Sequence, residues 1–279
     1  TLQHISMQYT RENQFIQKLA PRILKLVEKQ LVCTRTIAHK SAKQDVASDL
    51  DLAVDALIVR AISATFPRDI LATEESSPER LKKIFDGKRG WIVDPLCGSQ
   101  NVARGIQWFA TNIILMLKGE IAAAWVVDHS RKRVMWSVGK GKVFIDKTLA
   151  AISKKQTTMP IVEIDTGYSF LLPKSIQKKY IAIHHDAFLS GSVQLRNLGS
   201  SLGFAYIATG QIGGIITLNV YAWDILAAAF LVEQNGGIVA NFDGSRRNAQ
   251  SKSLIMAGNK TIYQLLFSLI KKHKLTGIV

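Results

Sequence analysis

An apolar run that ends on an acid and a proline constrains this chain more than any other stretch. Residues 91 to 101 read WIVDPLCGSQN. Trp91, Ile92 and Val93 have the character of a buried strand, Asp94 follows, Pro95 breaks it, and Gly98, Ser99 and Gln100 form a small polar turn. A carboxylate at a strand end beside a glycine turn can hold an oxygen-preferring metal next to a cradle for phosphate. The same layout is also common turn punctuation, so its meaning depends on the acids before and after it.

Periodicity places those acids. Phe15, Leu19, Ile23, Leu24 and Val27 recur at helical spacing and predict a helix over 10–32. A second helix is predicted over 48–65, with Ser48 as N-cap, Asp49 and Asp51 in its first turn, and Ala53, Val54, Leu57, Ile58 and Ala61 on its buried side. Short strands follow at 70–72, 90–93, 112–117, 121–127 and 134–138, the last three as an antiparallel meander. The polar stretch 147–159 marks the expected boundary between an N-terminal α+β subdomain (1–152) and a C-terminal α/β subdomain (153–279). Beyond it strands are predicted at 168–172, 193–197, 215–220, 238–241 and 254–256. They alternate with helices at 173–180, from 199 to 208, at 222–235 closed by Gly236-Gly237, and at 261–272. The fold class expected is α+β with an α/β second half.

Composition removes several alternatives. With 47% hydrophobic and 20% charged residues the chain is an ordinary globular sequence, not a disordered one. Two cysteines, Cys33 and Cys97, cannot build a disulfide framework, and the expected setting is reducing and cytoplasmic. The six histidines show no metal-ligand spacing, and His184 and His185 read as surface residues. The most apolar region, 109–127, is interrupted by Lys118, Gly119 and Glu120, so no membrane span is expected. The opening TLQHISMQYTREN lacks the layout of a signal peptide, and the missing initial Met suggests a trimmed or tagged start. A net charge of +15 favours anionic partners, from phosphate esters to nucleic acids, although the basic residues are scattered enough to be a solubility charge.

Four acidic spots stand at element ends: Asp51, Glu74-Glu75, Asp94 and Asp224. Singly, each reads equally as a solvated helix acid, a surface loop, a turn acid or a helix-dipole charge. Their order and context are more specific. DVASDLD at 45–51, TEES at 73–76, DPLCGSQN at 94–101 and WDILAAAFLVEQNGG at 223–237 follow one another as the motifs of the inositol monophosphatase family do, and the chain resembles that family, its central motif being DPxDGTxN.

The resemblance implies a layered α-β-α-β-α sandwich, a homodimer, Mg2+ as cofactor and a small-molecule phosphate ester as substrate. It implies that Glu74, Asp94 and the Leu96 carbonyl hold a first magnesium, that Asp94, position 97 and Asp224 hold a second, and that Glu75 lies near a weaker ion. Ser99, at the family's threonine, would work with Asp51 and Glu74 on the attacking water. Gly98, Ser99 and Gln100 would give N–H groups to the phosphate, with Gly199, Ser200 and Asp224 as further substrate contacts.

Two residues depart from the pattern. Cys97 stands where the family has a metal-ligating aspartate. A thiol is soft and, with a reference pKa near ~8.5, mostly neutral at pH 7, which predicts a weakened second metal position. A zinc-tolerant ligand and a small buried residue are the other readings of Cys97. Thr217 stands where the family usually has a glutamate that contacts the inositol hydroxyls.

The expected function is therefore a magnesium-dependent phosphomonoesterase for a small polyol phosphate, by default inositol 1-phosphate. The alternative is a catalytically impaired member with a regulatory role that binds transcription machinery or RNA. A third reading, hydrolysis of 3′-phosphoadenosine 5′-phosphate as in a sister family, is opposed by Gln100-Asn101-Val102, where that family carries Lys-Glu-Phe.

Overall fold

The computed structural model describes residues 9–31, 37–39, 46–74, 76, 78–150 and 159–278, with backbone alone at 37–39 and 46–48. The chain divides into two compact units, Thr1–Leu149 with Ser200–Leu202, and Ala150–Gly199 with Gly203–Val279.

The first unit begins with helix α1 (Thr10–Leu31), strands β1 (Ile37–His39) and β2 (Val46–Ser48), and helix α2 (Asp49–Thr65). Helix α1 buries Ile16, Leu19, Ile23 and Val27, with Phe15 and Leu24 at the edge of the core. Helix α2 buries Leu50, Val54, Ile58 and Ile62, a stripe of four-residue steps. The predicted Ala53, Leu57 and Ala61 flank that stripe and are half-buried. The side chain of Ser48, the predicted N-cap, lies outside the described residues.

Strand β3 (Ile70–Thr73) leads through α3 (Pro78–Phe85) to β4 (Gly90–Cys97), which lies parallel to it. The short helix α4 (Ser99–Ala103) follows, then the meander β5 (Ala110–Leu117), β6 (Glu120–Asp128) and β7 (Arg133–Val138), extended by β8 (Phe144–Ile145) and β9 (Thr148–Leu149). All seven strands form one sheet in chain order. Trp91 and Trp125 stack at 5.9 Å inside it. Their indole N–H groups are satisfied by Asp69 (2.9 Å) and Asn13 (3.0 Å), as burial of such rings requires.

The second unit holds a mixed five-stranded sheet of order β11-β10-β12-β14-β13: β10 (Ile161–Ile164), β11 (Gln194–Arg196), β12 (Gly214–Thr217), β13 (Ile238–Asn241) and β14 (Leu254–Ala257). Its helices are α5 (Lys174–Leu189), α6 (Ser201–Ala205, shared with the first unit), α7 (Ala222–Gln234) and α8 (Lys260–Lys272). Val162, Ile164, Ile216 and Ile255 form a core with α5 and α8 through Tyr180, Ile183, Leu266 and Ile270.

Several expectations change here. The predicted strand 168–172 contains instead a 3₁₀ turn, Ser169–Leu171, and the strand of this region is β10. Glu163 lies in the middle of β10 and hides it from an apolar-run reading. Helix α5 runs nine residues past its predicted end at Tyr180, because Ile183 and Ala187 continue its buried face. Helix α3 was not predicted. His185 is exposed as expected, whereas His184 is half-buried and edge-on to Tyr180.

Candidate active site

Strand β4 does not stop at Pro95. It pairs with β5 up to Asp94 and again at Cys97, with a register shift between them. Proline has no ladder donor, so a bulge lets it sit inside the strand. The Pro95 carbonyl accepts the Thr111 hydroxyl (2.7 Å). That hydroxyl has spent its proton, so His129 Nε2, 2.9 Å from the same oxygen, is the donor of that contact. His129 stacks on Phe109, and burial pushes its pKa down to about 3, which keeps the ring neutral. A neutral Thr111–His129 pair thus supports the bulge that presents Asp94, Leu96 and Cys97.

Gly98 turns the chain out of the strand with φ 108°, a left-handed value that favours glycine. A Cβ there would also sit 3.1 Å from side-chain atoms of Phe109 and Ser200. The Asn101 and Val102 N–H groups close on the Gly98 carbonyl (2.8 and 3.1 Å), which winds the one-turn helix α4. The first-turn N–H groups of Ser99 and Gln100 have no acceptor inside the helix, by its geometry. Gln100 is further tied to Arg104 through its side-chain oxygen.

Ser99 connects the turn to α2. Its hydroxyl lies 2.7 Å from Asp51 Oδ1 and 3.0 Å from the Leu96 carbonyl. One proton serves one strong acceptor at a time, and the nearer carboxylate is the better one. A serine that donates to Asp51 keeps lone pairs to accept a proton from water. Asp51 is 2% exposed and Asp94 1% exposed. Glu74, half-buried just after β3, donates its N–H to the Val93 carbonyl (3.1 Å), which registers it beside Asp94. Glu75 lies outside the described residues.

Cys97 fills position 97 with a sulfur that is already hydrogen-bonded. Its Sγ lies within 4.8 Å of a carboxylate oxygen of Asp94 and accepts the Ser201 N–H at 3.2 Å. The Cys97 carbonyl accepts the Ser200 hydroxyl (2.8 Å), and that hydroxyl also takes the Leu202 N–H (3.2 Å). Ser201 is in turn held by the Asn112 amide (2.9 Å). Ser200 and Ser201 therefore serve as struts for position 97. Gly199 precedes them with φ 63°. The donor set divides by chemistry. The carboxylates of Glu74 and Asp94 and the Leu96 carbonyl are hard oxygens that fit magnesium, whereas the Cys97 sulfur is soft, engaged and unsuited to it.

In the second unit, Asp224 is buried in the first turn of α7, where its Oδ2 accepts the Tyr221 N–H (3.1 Å). Thr217 is fully buried and donates to Asp165 Oδ2 (2.9 Å). Burial raises the Asp165 pKa against the opposing Gly167 N–H and Thr217 hydroxyl. Sequence reading missed Thr111, Asn112, His129, Asp165 and Ser201. None of them belongs to a spaced motif.

The sequence profile of the inositol monophosphatase family matches residues 8–275. The chain belongs to the inositol monophosphatase family. Among its relatives, the Nus factor SuhB of Escherichia coli is 27% identical, over 83% of this chain and 84% of that one. A Thermotoga maritima IMPase superposes with a TM-score of 0.79 at 22% identity, covering 95% of this chain and 98% of the other. An IMPase/NADP phosphatase solved with Mg2+ and phosphate superposes at 0.76 and 17% identity, covering 93% and 94%. The layered α+β architecture is that of the family. Among the described residues no helix is long and apolar enough to cross a membrane.

Proposed function

We propose that the chain is a magnesium-dependent phosphomonoesterase for a small phosphate ester, with inositol 1-phosphate as the default substrate and a weakened second metal position. The observation that carries this reading is the 2.7 Å contact from Ser99 to buried Asp51, beside the Leu96 carbonyl and the Gly98 turn. Glu74, Asp94 and the Leu96 carbonyl would hold the first ion. When bound, magnesium supplies charge stabilisation to the phosphoryl group and favours hydroxide over water near neutral pH. Ser99 accepts the proton of the attacking water as Asp51 takes the Ser99 proton, and N–H groups of the 98–100 turn orient the phosphate.

On the family pattern Asp224 joins Asp94 at the second position, Glu75 stands near a weaker ion, and Gly199 and Ser200 border the substrate. The same pattern carries a homodimer, and a chain with only two cysteines, Cys33 and Cys97, suits a cytoplasmic, reducing setting.

Purified protein is expected to release phosphate from inositol 1-phosphate or another small polyol ester with magnesium and not with EDTA. Ser99→Ala lowers that rate by roughly 10²–10⁴-fold, the usual range for losing a general base relay, in a protein that still folds. No magnesium-dependent release from any ester of an inositol, sugar and nucleotide panel would count against the reading.

A second reading is a regulatory role with transcription machinery or RNA. Cys97 and the +15 charge favour it, and so does a relative called a Nus factor. Its mark is RNA binding that weakens steeply with salt, and no binding at low salt removes its RNA component.

A further inference from the structure

Strand β10 carries a carboxyl that the proposed chemistry does not use. Glu163 is fully buried. Its Oε1 accepts the Leu198 N–H at 2.8 Å, and the Gly199 N–H is directed at the same carboxyl. Oε2 has no hydrogen-bond partner among the described residues. It lies instead against Gly203, where an added Cβ would come within 2.6 Å of it. A terminal oxygen can often swing aside, but a side chain with no exposure has nowhere to go. Leu198 and Gly203 flank the segment 199–202, which contains Gly199 and Ser200.

We propose that Glu163 is the positioning residue of the 199–202 segment, fixing its entry through the Leu198 N–H and its exit through the close contact with Gly203. The inference rests on the phosphatase reading for its functional consequence, since Gly199 and Ser200 border the substrate in that reading. Its structural half stands on β10, Leu198 and Gly203 alone.

The carboxyl also makes this hold sensitive to pH. Burial pushes the Glu163 pKa up to about 8; the Leu198 N–H opposes the rise, Asp165 adds to it and the Gly199 N–H opposes it. The titratable and charged groups around it are Asp165 just past the end of its strand, Tyr180 on α5, and Arg196, its register partner on β11. The Arg196 guanidinium is exposed and turned onto the Leu195 carbonyl (2.7 Å), so it forms no ion pair with Glu163. A carboxyl with a raised folded pKa stabilises below its unfolded value, and that contribution is lost as pH rises through the folded value. Ionising Glu163 strengthens the Leu198 and Gly199 N–H bonds but costs its desolvation, which is the larger effect, so the packed carboxyl contributes less to the fold as pH rises through about 8.

Hydrogen exchange of residues 195–203 and binding of inorganic phosphate with magnesium test this on the full chain. Glu163→Leu leaves the Leu198 N–H without its acceptor and speeds exchange of the segment roughly tenfold, with weaker phosphate binding. Gly203→Ala pushes on Oε2 and moves both readouts the same way. Glu163→Gln keeps an acceptor and holds near the wild type at pH 6. From pH 6 to 9 the wild type loosens, after correction for intrinsic exchange rates, and the Gln variant stays flat. Unchanged exchange in folded Glu163→Leu or Gly203→Ala overturns the proposal, as does one shared pH profile for wild type and Glu163→Gln. Should Glu163→Leu fail to fold, Gly203→Ala and the pH comparison decide. Should the wild type bind no phosphate, the phosphatase reading loses its support and the exchange data alone judge Glu163.

Discussion

Replacing Cys97 with aspartate is expected to accelerate magnesium-dependent phosphate release by roughly 10²–10³-fold, the effect of restoring ~3–4 kcal/mol of leaving-group stabilisation. Position 97 ends β4, with its sulfur close to Asp94, so a carboxylate there adds a negative charge and a hard donor beside a proposed ligand. The Ser201 N–H, now 3.2 Å from the sulfur, can donate to the new carboxylate, so the substitution keeps its strut. Cys97→Ser separates charge from size: a hydroxyl keeps the acceptor and adds no charge, and its rate stays near the wild type. Initial rates across a magnesium titration provide the measurement. An unchanged or lower rate for Cys97→Asp removes the weakened-site account. Zinc stimulation of the wild type that vanishes in Cys97→Asp identifies the thiol as a zinc ligand instead.

The parts of this site legible in the sequence are the local ones. The 91–101 stretch shows its strand, its acid and its glycine turn because each is a short-range property of neighbouring residues. Helix α7 and the β5–β7 meander are legible for the same reason, since period and turn chemistry act within a few residues. Long-range contacts leave no such trace. Ser201 and Cys97 are 104 positions apart, and nothing local to either marks their bond. Thr111 and His129 meet only because β5 pairs with the end of β6. Strand β10 escaped because its central residue is a buried acid, which an apolar-run criterion scores as surface. Pro95 misled in the opposite direction: it reads as a strand end, yet the bulge accommodates it and carries pairing on to Cys97. At Glu163 and at the bulge sequence reading fails because a buried acid and a strand proline each break the local rule.

Magnesium is expected to raise the melting temperature of the wild type and to leave that of Asp94→Asn unchanged. A ligand that binds only the folded state stabilises it by about 2.7 kcal/mol at a free concentration a hundredfold above its Kd. In the proposed site Asp94 is the acid on which this binding depends most. It is 1% exposed, stands at the bulge, and lies beside Glu74 through the β3–β4 register and close to Cys97. Asparagine preserves its shape and removes the charge that a hard divalent ion requires, so affinity falls with little change in packing. Losing several kcal/mol of charge stabilisation at the reacting phosphoryl group also lowers turnover by roughly 10³-fold or more. Glu28→Gln is the control. It removes an exposed carboxylate paired with Lys132 at 2.7 Å, a surface pair of small energetic worth, and leaves the magnesium response intact. Thermal unfolding with magnesium and with EDTA reads the effect without relying on activity, so it tests the metal site even if the true substrate is absent from the assay. A magnesium-induced rise that persists in Asp94→Asn would mean that the ion binds elsewhere, and the proposed first metal position would fall.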